Sequence, residues 1–484
     1  MSGVPPGPMA PAAASTAARG SARTPEPAGL PIRSAIEGVA WPAFPDQAGE
    51  ALLAMLWQME RSEWFKPARL RSLQMVQVRS LLRHAAAHVP FYADLWAGLG
   101  RERLGFDPAV DTLTPKRFSA LPVVTREMIR GAGEAAFSKT VPQAHGAVQA
   151  SLTAGTTGAP LHFRTTALSH FMWRAFTLRD HLWHRRDLTG KLAMIRSTPG
   201  GRAEAPDWGR PASALCSTGS AVGLSIEHDI VEQATWLVEQ DPHSLITHPG
   251  NLYALAGWFS GHGVTLPRLR DIRTVSERVT PEQRAACRAA FGLSLVDAYS
   301  TRELGYLALQ CPKHERYHVQ EEGVLLELLD EGGQPVPPGR AGRVVVTSLH
   351  NFAMPFVRYD TGDYAIAGSA CDCGRGLAVL DRIVGRGRNL MSMPDGTRRW
   401  PGCELIDLGG VPGIRQHQFV QTALDRIELL LVADQPLGAA DQASLAAVVR
   451  ERLGPGLELA VVRVDRLPRS ADGRPEDFVN LLPR

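Results

Sequence analysis

Between residues 192 and 299 the chain alternates short apolar, β-branched runs with helical patterns, and this alternation limits the fold more than any other feature. The apolar runs are Leu192 to Ile195, Ser244 to His248, Ile272 to Val275 and Leu293 to Tyr299, with helices expected over Leu252 to His262 and Pro281 to Phe291. Strands that return in the same direction need long crossovers, so the spacing predicts an α/β unit built on parallel strands. The second helix carries its own start signal, with Thr280 as cap, Pro281 in the first turn, and Glu282 and Gln283 behind it. From Tyr317 the pattern turns antiparallel. Strands over Val324 to Leu329 and Arg343 to Ser348 are joined by turns at Gly332, Gly333 and Pro337-Pro338-Gly339, and a further short segment begins over Pro355 to Arg358.

Residues 1–31 are dominated by Ala, Pro, Gly and Ser, with almost nothing large and apolar to bury, which predicts a disordered tail. Packing helices are expected from Gln47 to Leu99, where Leu52, Leu53, Leu56 and Met59, then Leu70, Leu73, Val76, Val78, Leu81 and Leu82 beyond a break at Pro67, follow helical spacing and are expected to pack into the core. Past Gly385-Arg-Gly-Arg-Asn389 come a Pro394-Asp-Gly hairpin signal, a strand pair around Gln416 to Ala433, a helix Ala439 to Leu453 and a strand Leu457 to Val464. That order suits a small α+β domain. The expected division is a tail over 1–31, a large domain over 32–386 and a small carboxy-terminal one over 387–484. A chain of 484 residues can bury cores for both. Lys+Arg 52 against Asp+Glu 49, without a basic run, argues against nucleic acid as a partner. No apolar run reaches the roughly 18 to 20 residues of a membrane span, and no signal segment opens the chain, so a cytoplasmic protein with no membrane partner is expected.

Several polar motifs interrupt this framework. In Ser151-Leu-Thr-Ala-Gly-Thr-Thr-Gly-Ala-Pro160, Gly155 and Gly158 permit close backbone approach, and Thr153, Thr156 and Thr157 add hydroxyl donors, as a phosphate cradle requires. The same composition suits a plain turn, and no Gly-Lys-Ser/Thr follows. Tyr299-Ser-Thr-Arg-Glu303 stands at the end of an expected strand, where an open parallel sheet places its ligands; Glu303 is a magnesium or substrate ligand there, or a solvated side chain. Arg358-Tyr-Asp-Thr-Gly-Asp363 turns on Gly362, so Asp360 and Asp363 are both expected to project from a loop, toward ribose hydroxyls or their own backbone. Six cysteines are too few for a disulfide scaffold. Cys311, Cys371 and Cys373, with His314 or His318, make a closed tetrahedral zinc set; free cysteines in turns are the alternative. Cys216, Cys287 and Cys403 read as packing or surface residues.

In order and spacing these motifs resemble the adenylate-forming (ANL) superfamily of acyl- and aryl-CoA synthetases, over nearly all of residues 32–484. The resemblance is strongest to the phenylacetate-CoA ligase-like branch, with its CapK-type proteins and coenzyme F390 synthetase. It implies an α/β fold with a large amino-terminal domain and a small mobile carboxy-terminal lid. Thr153, Gly155, Thr156, Thr157 and Gly158 would lie over the ATP phosphates, and Ser276 and Glu277 would line the adenine pocket. Tyr299, Ser300 and Thr301 would sit on the adenine side, Glu303 on Mg²⁺, Asp363 on the ribose, and Arg386 just before the interdomain hinge. The implied reaction activates a carboxylic acid as its acyl or aryl adenylate, releases pyrophosphate and transfers the acyl group to CoA, an amine or a hydroxyl. The C…YH…C-x-C arrangement of zinc-bearing relatives favours Cys311, His318, Cys371 and Cys373 as structural zinc ligands, with His314 the alternate.

The chain departs from that pattern at Ala154 and Ala159, where a serine and a basic residue are usual, and at Arg388-Asn389, where the hinge is often aspartate. In Ser470-Ala-Asp-Gly-Arg474, Arg474 stands where the family's catalytic lysine is expected; it keeps the charge but not the reach, so slower adenylation is expected. A degenerate nucleotide-binding or assembly protein without turnover is therefore a third reading. Trp183, His248, Tyr253 and Trp258 are equally readable as acid-pocket lining or as core. The oligomeric state stays open, a homodimer among the alternatives.

Overall fold

A computed structural model describes residues 30–153, 160–386, 391–394, 398–399, 401, 414–433, 435, 437–453, 457–468 and 478–482 of the chain. The tail over 1–29, loop residues Gly155, Thr156, Thr157 and Gly158, the hinge pair Arg388-Asn389, Cys403 and Arg474 lie outside the described residues.

Three helices, Gln47–Ser62, Pro67–His88 and Pro90–Leu104, open the described chain. Asp46 caps the first by accepting from the Gly49 backbone at 2.8 Å, and prolines start the other two, where a missing N–H is no loss. Val78, Leu81, Leu82 and Tyr92 are fully buried in a core shared with Phe356 and Tyr359, whereas Leu53, Leu73 and Val76, expected in the same stripe, lie on the exposed helix faces. Each buried side chain contributes about 1.5–3 kcal/mol of burial. The Tyr92 hydroxyl donates to the Pro355 carbonyl and accepts from the Val357 N–H, both at 3.0 Å, which fixes the approach to the 358–363 motif.

Among the described residues, a six-stranded sheet has the order Arg202–Ala205, Ala221–Ser225, Leu192–Arg196, Ser244–Thr247, Asp271–Thr274, Leu295–Val296, and only its first strand runs antiparallel to its neighbour. Helices Ile230–Gln240, Pro249–His262 and Pro281–Phe291 supply Leu237, Leu252, Leu255, Phe259 and Cys287 to the core shared with Ala193, Ile195, Leu245 and Ile272. Thr280 and Gln283 form a reciprocal capping box at the third helix. The expected strand Leu293 to Tyr299 is two strands, because the Asp297 N–H donates to Gln310 Oε1 at 3.0 Å instead of extending a ladder. Leu295–Val296 closes the parallel sheet, and Ala298–Thr301 begins the next.

That next sheet has seven antiparallel strands in the order Val324–Leu329, Ala341–Ser348, Tyr359–Ala367, Val379–Arg386, Tyr317–Val319, Gly305–Gln310, Ala298–Thr301. The expected segment at Pro355 to Arg358 is irregular backbone leading into Tyr359. Farther along, Ile414–Ala423 and Arg426–Ala433 pair antiparallel, flanked by Phe478–Asn480 and Glu458–Arg463 in parallel, while helix Ala439–Leu453 brings Leu445 to a core with Phe419, Leu429 and Phe478. The architecture is α/β, with large mixed sheets first and a small α+β sheet after them. No described helix is long and apolar enough to cross a membrane.

Candidate functional site

The threonine- and glycine-rich loop leaves a hairpin of Val148–Leu152 and His162–Thr166, with Leu152 opposite His162. Thr153 zips the pairing one residue further. Its N–H donates to the Leu161 carbonyl and its Oγ1 accepts from the Leu161 N–H, both at 3.0 Å. Thr153 is buried, and the same oxygen accepts from the Arg126 guanidinium.

Arg126 is a residue that the sequence reading passed over. It starts the helix Arg126–Ala132 behind the Thr125 cap, and Val124 is stitched to the 358–360 backbone by two bonds of 2.9 Å. Its partners are Thr153 and the hydroxyl of Tyr359. Tyr359, fully buried, in turn donates to Glu303 Oε1 at 3.5 Å. Burial and the neighbouring Glu303 charge hold this phenol protonated, far above its ordinary range. Glu303 is 8% exposed, on the turn between Ala298–Thr301 and Gly305–Gln310. The Leu304 N–H donates to Thr301 Oγ1 at 3.2 Å to shape that turn, and Gly305 takes its positive φ of 76°. Ser300 is exposed and Thr301 half-buried.

The 358–363 motif is not a loop but part of the strand Tyr359–Ala367. The pairing slips between Val345↔Asp360 and Arg343↔Tyr364, forming a bulge with Gly362 at φ 77°. A bulge re-aims side chains, and its effect separates the two aspartates. Asp360 does not project beside Asp363: it accepts from the Gly362 N–H at 2.8 Å and from Arg343 Nη1 at 3.2 Å. Asp363 Oδ2 accepts from the Tyr299 hydroxyl at 2.8 Å. Burial first, then the Asp363 carboxylate, keep the Tyr299 phenol protonated. Arg358 turns into the packing, bidentate to Glu327 at 3.0 and 3.1 Å.

Arg386 pairs directly opposite Asp363 in the neighbouring strand. Ser276, with a strained φ of 72°, and Glu277 follow the strand Asp271–Thr274, and Glu277 accepts from the Gly250 N–H at 3.2 Å. His248 Nδ1 stands 3.8 Å from Glu277. A Cβ added at Gly385 would lie 4.0 Å from Arg278, so this turn adjoins the strand that ends at Arg386. Arg126 and Tyr359 thus link Thr153 to Glu303, and the Tyr299 phenol that donates to Asp363 lies within the influence of the Glu303 charge. Of the aromatic pocket candidates, Trp183 is core, donating to Glu63 at 2.8 Å, and Trp258 stacks on His262 at 4.2 Å. Tyr253 is 39% exposed.

The cysteines and one histidine form a second site. Cys311 follows the strand Gly305–Gln310, His318 lies on Tyr317–Val319, and Cys371 and Cys373 share a turn closed by Gly374. All four are buried, with donor atoms within 4.8 Å of one another. Cys311 and Cys371 sulfurs are 3.9 Å apart, and Cys373 Sγ is 3.2 Å from His318 Nε2. Two thiolates about 2.3 Å from a tetrahedral zinc would stand about 3.8 Å apart, so the donor set fits that ion. Burial pushes the His318 imidazole down to about 4, leaving it neutral near pH 7, as a metal ligand must be. His314 is half-exposed and contacts Asp372 instead. Cys216 and Cys287 are buried, their thiols pushed up to about 12 by desolvation, which makes them inert packing groups.

No family model matches the chain. A phenylacetate-coenzyme A ligase of Thermus thermophilus is 24% identical over 400 residues, covering 79% of this chain and 85% of the relative. The structure of 2-hydroxyisobutyryl-CoA ligase with 2-HIB-AMP in the postadenylation state matches with a TM-score of 0.67 at 18% identity, covering 87% of this chain and 91% of that one. The same enzyme with 2-HIB-AMP and CoA in the thioesterification state gives 0.55 at 19% identity, with the same 87% and 91% covered.

Proposed function

We propose that this chain, whose fold is that of the adenylate-forming ligases, activates a carboxylic acid with ATP and passes the acyl group to CoA. The observation that carries the reading is a side-chain chain from the loop base through Arg126 and Tyr359 to Glu303, beside a Tyr299–Asp363 pair whose phenol feels the Glu303 charge. A carboxylate is a poor electrophile because oxide is a poor leaving group. Its oxygen therefore attacks the α-phosphorus of ATP, the bond to pyrophosphate breaks, and a mixed anhydride with AMP results. The CoA thiolate then attacks the acyl carbon and AMP leaves.

Such a reaction needs charge neutralisation and alignment more than covalent help. Arg126 supplies a guanidinium beside Thr153, where the phosphates would lie on Gly155, Thr156, Thr157 and Gly158. Glu303, buried and sparsely bonded, suits Mg²⁺, which would neutralise phosphate charge; one carboxylate plus substrate phosphates is a common magnesium set. Asp363, whose Oδ2 accepts from Tyr299, would hold the ribose hydroxyls, with Ser276 and Glu277 on the adenine side. Residues 32–386 would form the nucleotide domain and 387–484 the lid, with Arg386 just before the joint and Arg474 in the place of the family's catalytic lysine. Cys311, His318, Cys371 and Cys373 hold a structural zinc that pins two turns to the seven-stranded sheet.

Exchange of labelled pyrophosphate into ATP, measured over a panel of aryl and short hydroxy acids, tests the reading. Acid-dependent exchange with CoA consumption is the expected result. Exchange without CoA consumption would redirect the acyl group to an amine or hydroxyl. ATP binding without exchange for any acid would mark a binding protein, the reading that Ala159 and Arg474 favour.

A further inference from the structure

Beside the buried cysteine and histidine cluster lies a second donor set that shares one of its sulfurs. His314, Cys371 and Asp372 bring one ligand atom each within 4.8 Å of one another. Unlike the buried set, this one reaches solvent: the His314 and Asp372 side chains are 34% and 81% exposed, although the His314 Nε2 atom itself is covered. His314 Nε2 contacts Asp372 Oδ1, and that oxygen is 3.8 Å from Cys371 Sγ. Both sets hang on the same two turns, Cys311-Pro-Lys-His314 and Cys371-Asp-Cys373, and the Lys313 N–H and Cys311 Sγ, 3.5 Å apart, hold the first turn against the cluster.

We propose that His314 and Asp372 form an entry site, from which zinc passes to the buried site through the shared Cys371. The inference rests on the zinc reading above. A hydrated divalent ion sheds its waters in steps, and the four buried donors, each at most 7% exposed, offer it no first foothold. His314 and Asp372 offer an imidazole and a carboxylate, both ordinary zinc ligands, at the solvent edge. Zinc has no d-electron preference for one geometry and can expand its coordination, so Cys371 can stay bound while His314 and Asp372 are exchanged for Cys311, Cys373 and His318. The thiol protons leave to solvent as the thiolates bind, and no redox change occurs. His314 is then neither a final ligand nor a bystander. It speeds exchange without contributing to the bound state.

Microscopic reversibility makes this measurable on the holoprotein, because a group that speeds entry speeds exit by the same factor. The experiment follows zinc transfer from purified protein to an excess of a chromogenic chelator, and reloading of the stripped protein, for the wild type, His314→Ala and Asp372→Asn. Metal content by atomic spectroscopy and affinity by chelator competition accompany it. Both variants are expected to hold as much zinc as the wild type, with unchanged affinity, while release and reloading slow together by about tenfold, the low end of what neighbouring groups contribute at metal sites. Unchanged rates would overturn the entry site. So would faster release with weaker affinity, which would make His314 a support of the bound ion. A wild type isolated and reconstituted without zinc would instead sink the zinc reading itself, whereas a zinc-replete wild type with insensitive rates sinks the entry site alone.

Discussion

Asp297 and Glu303 are two buried carboxylates on one short stretch, 4% and 8% exposed, and the molecule holds them in opposite ways. Asp297 accepts from the Tyr317 hydroxyl at 2.8 Å and from Thr274 Oγ1 at 3.3 Å, while its N–H reaches Gln310. Glu303 has the Tyr359 hydroxyl at 3.5 Å as its bonded partner among the described residues. A buried carboxylate with a full set of partners locks a strand junction. One left short of partners is costly to keep, and a cation or ligand is what would complete it. The pair separates structural from chemical use of the same functional group.

The largest expected effect breaks the pair on the chemical side. Glu303→Gln should lower acid-dependent pyrophosphate exchange by about 10²–10³, the usual cost of one preorganised electrostatic group, and leave the thermal midpoint at or above that of the wild type. On the structural side the expected signature is pH dependence. Burial pushes the Asp297 carboxyl up to about 6 from 3.8, so between those values the folded chain holds a proton that the unfolded chain has released. The folded state then binds more protons, and its stability falls as pH rises through this window, by about 3 kcal/mol in all. Asp297→Asn should flatten that slope in thermal unfolding scans from pH 4 to pH 7 without shifting the exchange rate as far as Glu303→Gln does. An unchanged slope would mean that Asp297 is not the group responsible.

Two tyrosines sharpen the contrast with smaller effects. Tyr299→Phe removes the donor that orients Asp363, and the KM for ATP should rise about tenfold, the worth of a hydrogen bond to a charged group, with kcat little changed. Tyr359→Phe removes a longer bond, so a loss of about 1 kcal/mol, several-fold in exchange rate, is expected.

Much of the frame was legible because local rules decide it. The capping box at Thr280 and Gln283 and the apolar runs of the parallel sheet speak for themselves. Asp297 was not legible as a break, because it interrupts an apolar run only through partners at Gln310 and Tyr317 that the sequence places beyond the turn. The bulge at Gly362 decided between Asp360 and Asp363, and a bulge depends on the pairing of two strands rather than on one. In the cysteine cluster, spacing offered two histidines. Strand register distinguishes them: Leu309 pairs with His318, which points it inward, while His314 sits in the exposed turn. Arg126 carries no motif of its own, and within the 358–363 motif it is the aspartates, not Tyr359, that point to a site. Arg126 and Tyr359 matter because Val124 pairs beside Tyr359, a contact between segments more than two hundred positions apart.

The central claim is that the site around Glu303 makes an adenylate. Its most direct test is the acid- and magnesium-dependent exchange of labelled pyrophosphate into ATP by the wild type, run beside Glu303→Gln and Asp297→Asn. The account predicts exchange that requires a carboxylic acid, collapses in Glu303→Gln and survives in Asp297→Asn. Exchange that persists undiminished in Glu303→Gln would contradict it.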